Sequence, residues 1–366
     1  HIVPVFLLDT NLDENSEWDR TLTDCLYGGD SHYRLCQEVV LGMGGAAMLE
    51  SMGYADDAQY HMNEGHAALI TVTLLERELA GRARHDISEA DLERVRRRCI
   101  FTTHTPVPAG HDRFDEGEYK SVLGEERSQL LVEARVVEDH TLNMTHLALR
   151  LSRYVNAVAM RHREISQGMF PDYPIDSITN GVHARTWTAQ SFQELFDRRI
   201  PEWRRDNQYL RYAIDIPLEE ILDAHANAKA ALFAEVLKRT GVKLDPAVMT
   251  IGFARRATPY KRADLIFSDI NRLKAIAERS GKIQLLYGGK AHPRDEGGKA
   301  LIKQIYAAAA SLPESVHVVY VANYEMDIAH LMTSGVDLWL NNPTKPLEAS
   351  GTSGMKAALN GVPSYS

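Results

Sequence analysis

The second half of this chain predicts an α/β fold with a parallel sheet of Rossmann type. Four short apolar runs, 247–254, 283–287, 317–321 and 337–341, read as buried strands, and each of the first three leads into a helical stretch. A βαβ series of this kind presents its ligands at the carboxyl ends of the strands. The chemistry-bearing segments of the second half fall at those ends. With 366 residues the chain is too long for one ordinary core. Two domains are expected, 1–183 and 184–366, with turn chemistry over 176–181 (Asp-Ser-Ile-Thr-Asn-Gly) marking the crossing.

The first domain alternates a few strands with long helices. Residues 34–52 have helical spacing and 67–79 form a second helix. Residues 94–103 end in the run Cys99-Ile100-Phe101-Thr102-Thr103, which reads as a strand. After Pro106 and Pro108 the acidic, glycine-containing stretch 111–124 reads as a loop, and 141–167 reads as helix. In the second domain 188–245 is helical and polar, with Pro217 opening and Gly241 closing a long amphipathic helix. The opening His1-Ile2-Val3-Pro4-Val5-Phe6-Leu7-Leu8 reads as a strand already in mid-sheet, and 361–366 as the lead-in to another strand, so both ends read as cut. No internal repeat or low-complexity tract interrupts the chain.

Apolar content of 44% and charged content of 25% are those of a soluble globular protein. A net charge of −9 and a pI near 5.9 argue against a nucleic-acid surface while leaving local phosphate binding open. Cys25, Cys36 and Cys99 are odd in number and lack metal-ligand spacing, which fits a reducing compartment. No run of about 18 uncharged apolar residues and no signal-peptide pattern occurs, so a cytoplasmic location without membrane contact is expected.

The most informative segment is Pro346-Leu347-Glu348-Ala349-Ser350-Gly351-Thr352-Ser353-Gly354-Met355-Lys356-Ala357-Ala358-Leu359-Asn360-Gly361. A carboxylate, a run of small residues and an amine stand at the start of a predicted helix. Unpaired amide hydrogens and the helix dipole there make an anion site. Lys356 lies about one turn inside, in apolar company that favours its neutral, nucleophilic form. A second cationic segment, Arg255-Arg256-Ala257-Thr258-Pro259-Tyr260-Lys261-Arg262, puts four cations in eight residues between a strand and a helix expected near Ala263. A solvated charged turn is the plain alternative, and the position at the sheet's carboxyl edge favours phosphate. Tyr287-Gly288-Gly289-Lys290-Ala291-His292 also follows a strand; its glycine pair permits a tight turn, and Lys290 and His292 are surface candidates. In the first domain His66 stands at a helix start and His104 at a strand end, positions where histidines are more often structural. No third ligand has suitable spacing for a metal, and none is expected.

Taken together these segments resemble the α-glucan phosphorylases, the family that acts on glycogen, starch and maltodextrin. The family's cofactor-attachment signature runs Glu-Ala-Ser-Gly, a few small residues, Met-Lys, then Leu-Asn, and every defining residue is present. The pattern Leu8-Asp9-Thr10-Asn11-Leu12, Trp18-Asp19 and Leu26-Tyr27-Gly28-Gly29-Asp30 is most similar to the shorter bacterial and archaeal type. The resemblance implies two Rossmann-like domains in the B-type glycosyltransferase architecture, truncated here at both ends. It implies reversible, retaining phosphorolysis of α-1,4-glucan ends by inorganic phosphate to α-glucose 1-phosphate. It further implies pyridoxal 5'-phosphate carried as a Schiff base on Lys356, its phosphate acting as the acid.

Residue by residue, the resemblance gives Arg256 and Lys261 to substrate and cofactor phosphate. It gives Arg255, Trp187, Tyr324, Thr352 and Ser353 to the cofactor. Asn180, Glu348, Ala349, Ser350 and Gly351 go to the sugar, His104 to the glucosyl unit through its backbone carbonyl, and His66 to the acceptor end. Arg255 stands where animal enzymes carry lysine, His183-Ala184 where Thr-Pro is common, and Glu325 where many members have arginine. Two other readings stay open. One is a nucleotide-sugar-dependent glucosyltransferase of the same architecture, against which Lys356 stands where a Glu-x7-Glu pair would place its second glutamate. The other is an inactive fragment that binds glucan. The resemblance leaves room for a homo-oligomer and for allosteric control.

Overall fold

Parallel strands dominate the computed structural model, as buried, β-branched apolar runs require. It describes all residues except 1, 2, 27, 28, 55–57, 84, 85, 108, 109, 292 and 294. His1, Ile2, Tyr27, Gly28, Pro108 and His292, named above, therefore lie outside the described residues. The chain divides into two compact units, His1–Thr179 and Asn180–Ser366.

In the first unit the strands are β1 (Tyr60–Asn63), β2 (Cys99–Thr103), β3 (Arg113–Asp115), β4 (Val137–Glu138), β5 (Thr141–Asn143), β6 (Tyr154–Ala157) and β7 (Asp176–Ser177). A parallel sheet runs in the order β1-β2-β6-β7, and a small antiparallel sheet in the order β3-β5-β4. The helical stretch at 34–52 consists of Ser31–Val39 and Gly45–Ser51, joined by a π-turn at Val40–Gly44. The second expected helix is Ile70–Glu78.

Three expectations for this unit fail. The stretch 111–124 is not a loop: after β3, the helix Glu116–Leu123 starts at a capping box in which Asp115 and Glu118 satisfy each other's backbone N–H. The stretch 141–167 is not one helix but β5, the helix Met144–Arg150, β6 and the helix Met160–Met169. Asn143 sets the first helix start by accepting from Thr145 and His146 N–H. No strand forms over the described residues 3–8, where Val3, Val5 and Leu7 are exposed.

The second unit carries β8 (Met249–Ala254), β9 (Ile283–Gly288), β10 (Val316–Val321), β11 (Leu338–Leu340) and β12 (Ser364–Tyr365), all parallel, in the order β10-β9-β8-β11-β12. Their hydrophobic side chains pack one face on the long helix Leu218–Thr240, whose end is the left-handed Gly241. The helix expected near Ala263 begins later, at Ile270–Ser280. Single 3-10 turns, Pro259–Lys261 and Leu265–Phe267, precede it, and Arg262 between them is left-handed at φ 52°.

Candidate active site

At the carboxyl end of β8 the chain enters the basic turn, and at the end of β9 it enters the Gly-Gly turn. The two lie against each other: Arg255 N–H donates to Gly288 O at 3.2 Å and Ala257 N–H to Lys290 O at 3.1 Å. A Cβ on Gly289 would stand 2.1 Å from Arg255 O, and its φ of +150° excludes other residues independently. The glycine pair is thus what lets the basic turn sit at the sheet edge.

The basic turn does not use its cations alike. Arg262 is a clamp, donating to Asn342 O and Pro343 O, while Asn342 Nδ2 donates back to Arg262 O. Arg255 and Lys261 are buried, and both pair with Glu348, Arg255 at 3.2 Å from one carboxylate oxygen and Lys261 against the other. Burial pulls the Arg255 guanidinium below its usual pKa, against the attraction of Glu348. Arg256 is exposed and has no ion-pair partner among the described residues.

Around these cations several buried polar atoms have no hydrogen-bond partner: Arg255 Nη1, Thr258 Oγ1, Asn341 Oδ1, Asn342 Oδ1 and Ser350 Oγ. Leaving such groups unpaired costs about 1–3 kcal/mol each. Of these, Arg255 Nη1 and the Thr258 and Ser350 hydroxyls can donate to an anion, whereas the Asn341 and Asn342 carbonyl oxygens can only accept, as from a hydroxyl, so the set suits a polar guest carrying both groups.

From Glu348 the chain passes Ala349, Ser350 and left-handed Gly351, φ 69°, into the helix Thr352–Ala358. Ser353 Oγ accepts from Trp339 Nε1 at 3.1 Å, which ties the helix to β11. Lys356 Nζ sits 3.5 Å from the Trp187 ring centroid, and burial lowers its pKa. Asn360, which the sequence reading left without a role, locks this pair. It accepts from Ala189 N–H at 2.6 Å and donates to Trp187 O at 2.7 Å and Lys356 O at 2.9 Å. His183 caps the short helix Ala184–Trp187 by accepting from Thr186 N–H. Tyr324 lies against Gly288, and burial pushes its hydroxyl up to about 12. Glu325 pairs with Arg239 at 3.0 Å. Asn180 is half-buried at the start of the unit.

The first unit gathers His66 and His104 on its own frame. His104 follows β2; its N–H donates to Glu64 Oε2 at 2.7 Å, and its Nε2 meets Asn63 Oδ1 at 2.8 Å. Burial lowers the His104 pKa. Glu64 is buried with φ 69° and also accepts from Thr105 Oγ1, so a strained carboxylate positions the His104 backbone.

His66 Nδ1 lies 3.1 Å from Asp112 and 3.6 Å from Glu38, with the Arg34 guanidinium against all three. Burial opposes charge on His66, but Asp112 and Glu38 outweigh it and raise the pKa to about 9. Glu38, almost fully buried, is pushed up to about 7. Asp112, against its burial, is held well below the usual range by His66. Glu38, His66 and Asp112 offer ligand-type atoms within 4.8 Å of one another, a grouping that sequence spacing did not disclose; the cation standing among them is Arg34.

Residues 112–364 match a family model described as carbohydrate phosphorylase. Over 98% of its length the chain is 40% identical to maltodextrin phosphorylase of Thermococcus litoralis, 37% to glycogen phosphorylase of Aquifex aeolicus and 39% to glycogen phosphorylase of Mycobacterium tuberculosis. The matched stretches are 46%, 56% and 47% of those proteins, so the chain spans about half the length of the curated relatives it matches. No helix of the described residues is long and apolar enough to cross a membrane.

Proposed function

This chain belongs to the carbohydrate phosphorylase family, and we propose that it takes part in reversible, retaining phosphorolysis of α-1,4-glucan ends by inorganic phosphate, giving α-glucose 1-phosphate. One observation carries the proposal: in the basic turn Arg255 and Lys261 share a single carboxylate, Glu348, while Arg256 has no ion-pair partner among the described residues, and buried polar atoms nearby are unpartnered. That is a surplus of positive charge awaiting anions.

Pyridoxal 5'-phosphate fits the donor set, with Lys356 as its anchor and Trp187, Tyr324, Thr352 and Ser353 around it. When bound it supplies a phosphate able to exchange a proton with the substrate phosphate. The chain's own residues do the rest. Arg256 and Lys261 hold substrate phosphate, while Arg255 offsets the repulsion between two neighbouring anions. A doubly charged phosphate competes with the Glu348 monoanion for Arg255 and Lys261. Glu348, once displaced, accepts hydrogen bonds from sugar hydroxyls together with Asn180 and stabilises positive charge developing on the glucosyl ring. Ser350 and the Gly351 amide support the same sugar. In the first unit, His104, fixed through its N–H by Glu64, is the group we assign to a glucan sugar through its carbonyl, and His66 the group we assign to the acceptor. A retaining hydrolase would need two carboxylates about 5 Å apart; a phosphorylase uses the phosphate instead.

The test is release of glucose 1-phosphate from maltodextrin by the cofactor-loaded protein. Release that depends on orthophosphate is expected. Glucose transfer from a nucleotide sugar, with no response to orthophosphate, would replace this reading with the glucosyltransferase one. Binding of maltodextrin with neither reaction would leave a glucan-binding role.

A further inference from the structure

The first unit holds a second cationic recess, at the other end of its sheet. Tyr154 opens β6 and Asp176 opens β7, and a cavity of about 650 Å³ lies at these amino ends, whereas His104 follows the carboxyl end of β2. Four arginines line it: Arg96, Arg150, Arg153 and Arg163.

Their charge is only partly answered from within. Arg96 is engaged at each nitrogen, by Glu89 at 2.7 Å, Glu93 at 3.2 Å and Arg150 O at 2.8 Å. Arg150 reaches Glu89 at 3.4 Å through one nitrogen, while its buried Nε has no partner. Arg153 donates to a neutral group, Gln59 Oε1, at 2.7 Å. Arg163 is exposed and has no polar partner among the described residues. Ser152, only 9% exposed and lining the same cavity, has a hydroxyl that is buried and unpartnered.

Buried donors left open beside uncompensated guanidinium forks are the chemistry that recognises a phosphate. The remaining wall differs. The carboxylates Asp172 and Asp176 line it, with Tyr154 Oη donating to Asp176 at 3.2 Å. Carboxylates accept from hydroxyls, and would repel a ligand that was anionic throughout. The volume suits a small metabolite.

We propose that this recess binds a sugar phosphate, the phosphate on Arg153, Arg163, Arg150 Nε and the Ser152 hydroxyl, and the sugar hydroxyls on Asp172 and Asp176. This site is separate from the basic turn after β8 and does not depend on the proposed reaction. Calorimetric titration of the whole chain with glucose 6-phosphate tests it. Saturable binding is expected, weakened by added salt and reduced at least tenfold in an Arg153→Ala/Arg163→Ala variant; both residues are exposed, so the fold should survive. The corresponding double lysine variant should stay within a few-fold of the parent. Absence of saturable binding overturns the proposal. So does binding that Arg256→Ala abolishes and the double variant leaves intact, or equal affinity for glucose. Equal affinity for inorganic phosphate overturns the assignment of the sugar.

Discussion

The cluster around Glu348 and the cluster around His66 are both networks of cations and carboxylates, yet their charges sum differently. In the first, Arg255 and Lys261 share the one carboxylate of Glu348, and Arg256 in the same turn has no ion-pair partner among the described residues. In the second, Glu38 and Asp112 face Arg34 and a histidine whose pKa is raised to about 9. A network with surplus cations attracts anions, whereas a balanced one holds its own members in place and offers neutral partners hydrogen bonds without net attraction. On this difference rests our proposal of phosphate at the first and an uncharged glucan at the second.

Four substitutions test the contrast. The largest effect is expected for His66→Asn. Because the folded pKa of His66 lies above the unfolded value of about 6.5, its contribution to stability is fully present below that pH and is lost as pH rises through 9. Hydrogen exchange of the Met62 and Phe101 amides should show the parent losing up to roughly 3 kcal/mol across that window and the variant losing much less. Equal pH dependence in both would show that the cluster is not balanced as described.

Arg256→Ala comes next, removing a surplus cation that Glu348 does not engage. We expect a drop of about 100-fold in kcat/KM for phosphorolysis, or about 2.7 kcal/mol, with the fold intact by circular dichroism. Gly289→Ala forces a Cβ onto Arg255 O and should cost about 2 kcal/mol in thermal unfolding while weakening orthophosphate binding. The smallest effect is expected for Glu38→Gln, which removes one of the two carboxylates at His66. Its imidazole resonances, followed by NMR, should titrate about one unit lower than in the parent.

The sheet of the second unit is readable from sequence because strands buried on both faces are continuous apolar runs. Pro217 and Gly241 mark the ends of its long helix equally well. The first unit is harder to read. The acidic residues that suggest a loop at 111–124 are helix caps, Asp115 and Glu118, and the pattern for a cap was present to be read. The strand Tyr154–Ala157 is too short to stand out between two helices.

The same contrast holds at the sites. The Lys356 segment is local, and its residue types announce an amine beside an anion site. The partners of His66 are not local: Asp112 lies 46 residues away and Glu38 on another helix, and no spacing rule links them. The pairing of Glu348 with Arg255 and Lys261 spans about half of the second unit in sequence and is likewise visible only in the fold. Asn360 was in view within the signature, but its bonds to Trp187 O and Ala189 N–H were not.

We propose that the cation surplus and the desolvated Lys356 amine together form a site for pyridoxal 5'-phosphate. Its most direct test is to incubate the chain with pyridoxal 5'-phosphate, reduce with borohydride, and map the labelled peptide while following the near-ultraviolet spectrum. A single stoichiometric label on Lys356 is expected, slowed by excess orthophosphate and reduced by Arg255→Met. Label spread over surface lysines, or none on Lys356, would contradict it.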